Sequence, residues 1–199
     1  MLVIQASFVF LLLLQFAWAV DSDVTKFMKH LKVIPDVIDD GPKVFLKIAY
    51  DSGVMADKGV ELKPSQVKNP PKLKWNSSAS PSVFYTLIMT DPDASEPEMR
   101  SEKLHWLVVN IPGHDANKGQ VLSKYIGSGP APATGLHRYV FLLYKQPKKL
   151  DFNEWTPANF STKKFVARYK LGVPEAGNFF QAQRGDDVSQ LYAKIKLKL

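Results

Sequence analysis

The 199-residue chain contains no cysteine. That absence excludes disulfide bridges, thiolate metal sites and a cysteine nucleophile, so stability has to come from burial and hydrogen bonding. Histidine is scarce as well, limited to His30, His105, His114 and His137. Neither an H-x-x-x-H nor an H-E-x-x-H spacing occurs, so a metal-dependent hydrolase has no support from spacing. Gly127-Ser128-Gly129 lacks the G-x-S-x-G elbow and runs into Pro130, which argues against a serine hydrolase built on Ser128, His137 and an Asp. No signature of a nucleic-acid module is present, and no cofactor or resident metal is expected. Acidic residues are the minority, 19 against 26 Lys and Arg, for a net charge of +7. Such a surface favours acidic partners, among them anionic headgroups and phosphates, and also serves solubility.

What is there begins with an uncharged Leu/Phe/Val run that ends at Ala17-Trp18-Ala19. An apolar stretch closing on a small-x-small triplet reads as a cleaved secretory signal peptide over residues 1–19. A single anchoring helix is the competing reading, and the run is barely long enough to span a bilayer. No second stretch is long enough to cross a membrane. The expectation is therefore a secreted, extracellular protein with one domain over residues 20–199. Asn76-Ser77-Ser78 and Asn159-Phe160-Ser161 are glycosylation sequons, so Asn76 and Asn159 are acceptors if the chain enters that pathway.

Ser22 stands in front of Val24, Phe27, Met28 and Leu31, a stripe that predicts a short capped helix ending before Pro35. Residues 43–50 alternate, with Val44, Leu46, Ile48 and Tyr50 on one face of a predicted strand. Ser161 can cap a helix carrying Phe165, Val166 and Tyr169 that stops at Gly172 and Pro174. A last helix would carry Val188, Leu191, Tyr192 and Ile195 on one face. Strands outnumber helices, which cluster late, so the pattern fits a mainly β domain with peripheral helices.

Three short apolar runs carry the chemistry: residues 83–89, 106–109 and 139–144. Each is rich in β-branched or aromatic residues and reads as a buried strand. Asp91-Pro92-Asp93 follows the first, His105 opens the second and His137 opens the third. If the strands are antiparallel, the end of one lies beside the start of the next. Asp91, Asp93, His105, His137 and the Ser128-Gly129-Pro130 loop would then meet at one sheet edge as a pocket. A carboxylate beside an imidazole favours its charged form, so His105 or His137 is expected to hold a positive charge near neutral pH. Backbone N–H groups around Ser128-Gly129 would add an anion-binding nest, and Tyr139 a further donor. The bland alternative is a set of satisfied polar groups at a sheet edge.

The stretches Thr90–Ala94 (TDPDA), His105–Ile111 (HWLVVNI), Tyr125–Pro130 (YIGSGP) and Thr134–Phe141 (TGLHRYVF) resemble the phosphatidylethanolamine-binding protein family, which includes Raf kinase inhibitor protein. The resemblance covers most of the chain after the apolar N-terminus. It implies a large antiparallel-rich sheet packed on a smaller one. It also implies a small cavity for phosphate-bearing headgroups, lined by Asp91, Asp93, His105, Gly129, Pro130, His137 and Tyr139, with Tyr192 near the mouth. The chain departs from the family at Ser95 and Ala131, where prolines are common, and at Lys103, where a rim tryptophan is usual. These changes are expected to alter the rim more than the floor. The function implied is non-enzymatic binding of a phospholipid headgroup or small phosphate ester, with a protein partner such as a protease as a further reading. A protease inhibitor acting through a surface loop is the alternative.

Overall fold

The computed structural model describes residues 22–75, 80–94 and 101–184. The predicted signal segment, Asn76, Ser95, Tyr192 and the expected last helix lie outside the described residues. Ser22 caps helix α1 (Asp23–His30), its hydroxyl accepting from Thr25 N at 3.3 Å. The same hydroxyl donates to Pro42 O at 2.7 Å, so the cap also fastens the helix to the following loop. The helix ends earlier than the sequence pattern predicts, because Lys32 adopts a left-handed conformation with φ 56°. A short second turn, α2 (Val33–Asp36), follows. Ser22→Ala removes both bonds and should lower stability by about 1–2 kcal/mol in urea unfolding.

The main sheet contains β1 (Val44–Phe45), β4 (Val60–Glu61), β6 (Phe84–Asp91), β7 (Lys103–Pro112), β8 (Gln120–Ser123), β9 (His137–Lys145) and β10 (Ala176–Ala182). Its order is β1-β10-β9-β6-β7-β8, with β4 also on β10. All pairings are antiparallel except those of β1 and β4 with β10. A smaller sheet is built from β2 (Lys47–Ala49), β3 (Met55–Ala56) and β5 (Lys72–Lys74).

The predicted strand over residues 43–50 is divided between the sheets: β1 joins the large one and β2 the small one. Leu46 is the crossing point, its N–H donating to Gly177 O at 3.0 Å while its carbonyl accepts from Asn178 Nδ2 at 3.1 Å. The predicted face is kept by Leu46, Ile48 and Tyr50, which are buried, but Val44 is 47% exposed.

Alternation explains why the central runs are apolar throughout. Leu87, Met89, Tyr139, Phe141 and Phe180 fill the layer between the sheets, while Ile88, Val140, Leu142 and Phe179 pack beneath the helices. Successive side chains point to opposite faces, and here both faces are covered. Helix α3 (Thr162–Tyr169) covers the second face and starts at the predicted cap, Ser161. Half-buried Glu102 holds the same helix start, accepting from Thr162 N at 2.8 Å and from Thr162 Oγ1 at 2.6 Å. The helix ends where predicted, with Lys170 and Gly172 at positive φ. Asn159, the second sequon, is exposed just before it. No helix among the described residues is long and apolar enough to cross a membrane.

Candidate functional site

The sheet order brings the predicted residues together in a specific way. Strand β6 lies between β9 and β7 and is antiparallel to both, so its C-terminal end meets both of their starts. Asp91, His105 and His137 therefore converge, and they are 1%, 1% and 3% exposed.

Asp91 is the hub. Its Oδ1 accepts the N–H groups of Asp93 at 2.8 Å and Ala94 at 3.1 Å, and its Oδ2 lies 2.9 Å from His137 Nδ1. The other ring nitrogen of His137 meets the Thr134 hydroxyl at 2.7 Å. Thr134 Oγ1 donates to Ala131 O at 2.8 Å, which ties the exposed loop over residues 131–136 to the imidazole. Beside Asp91, Tyr139 is buried, and burial together with the neighbouring carboxylate pushes its phenol far above the ordinary range. The Gly129 backbone N–H acts in the opposite direction on that phenol.

His105 reaches the same pocket because of a backbone irregularity. Simple alternation would place it on the face of Leu107, among the residues beneath the helices. The β6–β7 register shifts between Met89 and Thr90, where Trp106 opposes one and Leu104 the other, leaving His105 as an added residue. A bulge of this kind re-aims a side chain. His105 and Trp106 both turn toward the inter-sheet layer, with His105 edge-on to Tyr139 at 5.1 Å between ring centroids and Trp106 against that core. Tyr139 in turn stacks on Phe180 at 5.0 Å.

The pocket floor is strapped in place from the far side. Ile126 N donates to His105 O at 2.8 Å, and His105 Nδ1 donates back to Ile126 O at 2.8 Å. Tyr125 Oη donates to Val67 O at 2.7 Å, anchoring the strap to the smaller sheet's side. Gly127 is required there, since a Cβ would come within 2.8 Å of Val67 O. Gly129, by contrast, borders open space and is exposed, while Ser128 and Pro130 are buried.

Two polar atoms in this pocket are buried without a hydrogen-bond partner: His105 Nε2 and Ser128 Oγ. Such orphans are rare in folded proteins and mark places where a partner is expected. Burial holds the His105 pKa below its ordinary 6.5, with Lys103 adding to the effect, against the opposing pull of Ile126 O and Asp91. The expectation of a charged His105 is thereby overturned: desolvation outweighs the carboxylate. A neutral ring with its proton on Nδ1 presents a bare lone pair at Nε2.

Asp93 is close but committed elsewhere. Its Oδ2 accepts Arg138 N at 2.8 Å and Nε at 2.9 Å, and its Oδ1 accepts a second guanidinium nitrogen at 2.7 Å. Burial alone would raise its pKa, but these bonds to Arg138 hold it below the ordinary carboxylate value. Arg138 also reaches Asp36 at 2.8 Å and Leu31 O at 3.1 Å, so Asp93 positions the 91–94 turn on the first helical segment. The sequence offers Thr134 only as a contact of an inhibitory surface loop and assigns Arg138 no role, although Arg138 follows His137 directly and Thr134 precedes it by three residues. The Ser128 hydroxyl makes no bond to any histidine, and His137 is occupied on both nitrogens, so the Ser128–His137 pairing is not formed. Of the rim departures, Lys103 stands exposed opposite Asp91 in the β6–β7 register, and Ala131 is exposed.

Fold and site together define a two-sheet β domain with a buried histidine–aspartate socket at one end of its main sheet. Residues 51–180 match the family model described as phosphatidylethanolamine-binding protein, and the chain belongs to that family. It is 40% identical over 181 residues to "Putative odorant-binding protein A5" of Drosophila melanogaster, covering 86% of this chain and 85% of that one. Among solved structures it is similar to CG7054 in solution, with 39% identity, a TM-score of 0.61 and coverage of 78% of this chain and 93% of the other. A carboxypeptidase Y inhibitor, solved with its cognate proteinase, superposes with a TM-score of 0.68 at 24% identity, covering 80% of this chain and 94% of that one. A phosphatidylethanolamine-binding protein from Plasmodium vivax gives 0.62 at 22%, covering 80% and 97%. The last two are likenesses of fold.

Proposed function

We propose that this chain is a non-enzymatic binding protein, secreted by way of its apolar N-terminal segment, whose socket takes a phosphate-bearing headgroup or small phosphate ester. The observation that carries the reading is the pair of buried orphans, His105 Nε2 and Ser128 Oγ, the second next to the exposed Gly129. A phosphate monoanion suits them: its P–O–H donates to the Nε2 lone pair, and its other oxygens accept from the Ser128 hydroxyl and backbone N–H groups. A dianion fits by the same geometry if His105 takes up a proton on binding. An ammonium group is served less well, because both carboxylates are already filled, Asp91 by His137 and two amides and Asp93 by Arg138. The 40%-identical relative is named for odorant binding, which agrees with capture of a small ligand rather than turnover.

The test is calorimetric titration of the purified protein with phosphoethanolamine in the absence of metal. Saturable binding is expected, weakened at least tenfold by His137→Ala. Binding that survives both His137→Ala and Ser128→Ala would place the site elsewhere, and metal-dependent ester turnover would replace the reading with a hydrolase.

A further inference from the structure

At the opposite end of the sheets lies a cleft of about 550 Å³, lined by Val44, Phe45, Lys47, Leu73, Lys74, Trp75 and His114. His105 and Pro112 are seven strand steps apart, roughly 20 Å along β7, and His114 follows the turn at that far end. Tyr85, which pairs with Ile111 at that far end, holds the Trp75 ring at 5.8 Å.

The lining divides by chemistry. Leu73 and Trp75 extend the inter-sheet core, and Phe45 and Val44 lie where the chain passes from the large sheet to the small one. Lys47 and Lys74 are direct cross-strand partners and both are exposed, as is His114. Like charges facing each other across strands repel. Neighbouring lysines are neutralised, Lys43 by Glu175 at 2.7 Å and Lys72 by Asp51 at 2.8 Å. Among the described residues, Lys47 and Lys74 have no carboxylate partner and no acidic residue lines the cleft. Beside them, the Trp75 indole N–H is buried with no acceptor among the described residues.

We propose that this cleft is a second binding site, for an amphiphilic organic anion. The anionic head bridges the Lys47 and Lys74 ammonium groups and removes their mutual repulsion, and the apolar body lies along Leu73 and Trp75. The volume is within the range of small-ligand pockets. The site shares no residue with the histidine socket and stands independently of the function proposed for it.

Laurate, below its micellar concentration, is the probe, titrated into 15N-labelled full-length protein by NMR. Laurate should shift the Trp75 indole signal and the amides of residues 44–47 and 73–75 in a saturable way. Dodecanol, of equal length and no charge, should bind at least tenfold more weakly. Lys47→Glu with Lys74→Glu should lower laurate affinity at least tenfold and leave phosphoethanolamine titration unchanged, and the milder Lys47→Gln with Lys74→Gln should fall between. His137→Ala should leave laurate binding intact. Shifts centred on His105 and His137, equal binding of dodecanol, or laurate affinity indifferent to the paired lysine changes would each overturn the proposal.

Discussion

Asp91→Ala is expected to abolish phosphoethanolamine binding and to lower the free energy of unfolding by about 2–4 kcal/mol, through the loss of three hydrogen bonds that end on one carboxylate. The size follows from what one carboxylate holds. Two backbone N–H groups of the 91–94 turn and the His137 ring all end on it, inside a site almost closed to solvent. Removing the acceptor leaves the buried His137 Nδ1 and two more accessible turn amides without their partner, and the buried orphan alone costs on the order of 1–3 kcal/mol before relaxation. Asp91→Asn keeps one oxygen for the turn amides but offers His137 either a weaker acceptor or an N–H. It should cost less in urea denaturation than the alanine variant and still weaken binding, because the ring loses the group that orients it. Equal, small losses for both substitutions would mean that Asp91 is a bystander.

Affinity for phosphoethanolamine should fall about tenfold for each pH unit above about 7, a hundredfold between pH 7 and pH 9. The sign comes from counting protons. In the free protein His105 is neutral there, because burial lowers its pKa from 6.5. The phosphate ester, with a second pKa near 6, is mostly a dianion at the same pH. The complex needs one proton between Nε2 and a phosphate oxygen that neither free partner carries, so each unit of pH costs about 1.4 kcal/mol. Calorimetry across this range reads the slope, and His105→Gln, whose amide supplies its own donor, should flatten it. A slope near zero in the wild-type protein would contradict a shared proton. Without ligand the same histidine works in the opposite sense: its depressed pKa contributes stability above about pH 6.5 that is lost as the pH falls, because the unfolded chain takes up the proton first.

How far the sequence reveals this arrangement depends on the kind of interaction involved. The three central strands were legible because burial on both faces writes itself as short apolar runs, and Asp91 and His137 met because antiparallel pairing places strand ends beside strand starts. Helix α3 was legible for a local reason: Ser161 caps it and the chain turns left-handed after it. Less visible was the bulge at His105, since an added residue changes no composition and shows only in the pairing with Thr90 and Met89. The break at Leu46 was hidden similarly, because alternation along residues 44–50 continues unchanged while the partner sheet switches. Asp93 stands at the predicted sheet edge, and the sequence does not show that its oxygens bind Arg138, the residue between His137 and Tyr139. Of the two histidines expected to share a charge, His105 departs, because sequence shows a carboxylate nearby but not the depth of burial, and at 1% exposure desolvation dominates.

The most direct test of the account is 15N NMR of the imidazole rings during titration with phosphoethanolamine at pH 7.5. His105 should begin as the neutral ring with its proton on Nδ1, and its Nε2 resonance should move toward a protonated or strongly hydrogen-bonded position in step with ligand occupancy. An Nε2 signal that stays fixed while the ligand saturates the protein would contradict the claim that this buried lone pair receives the phosphate.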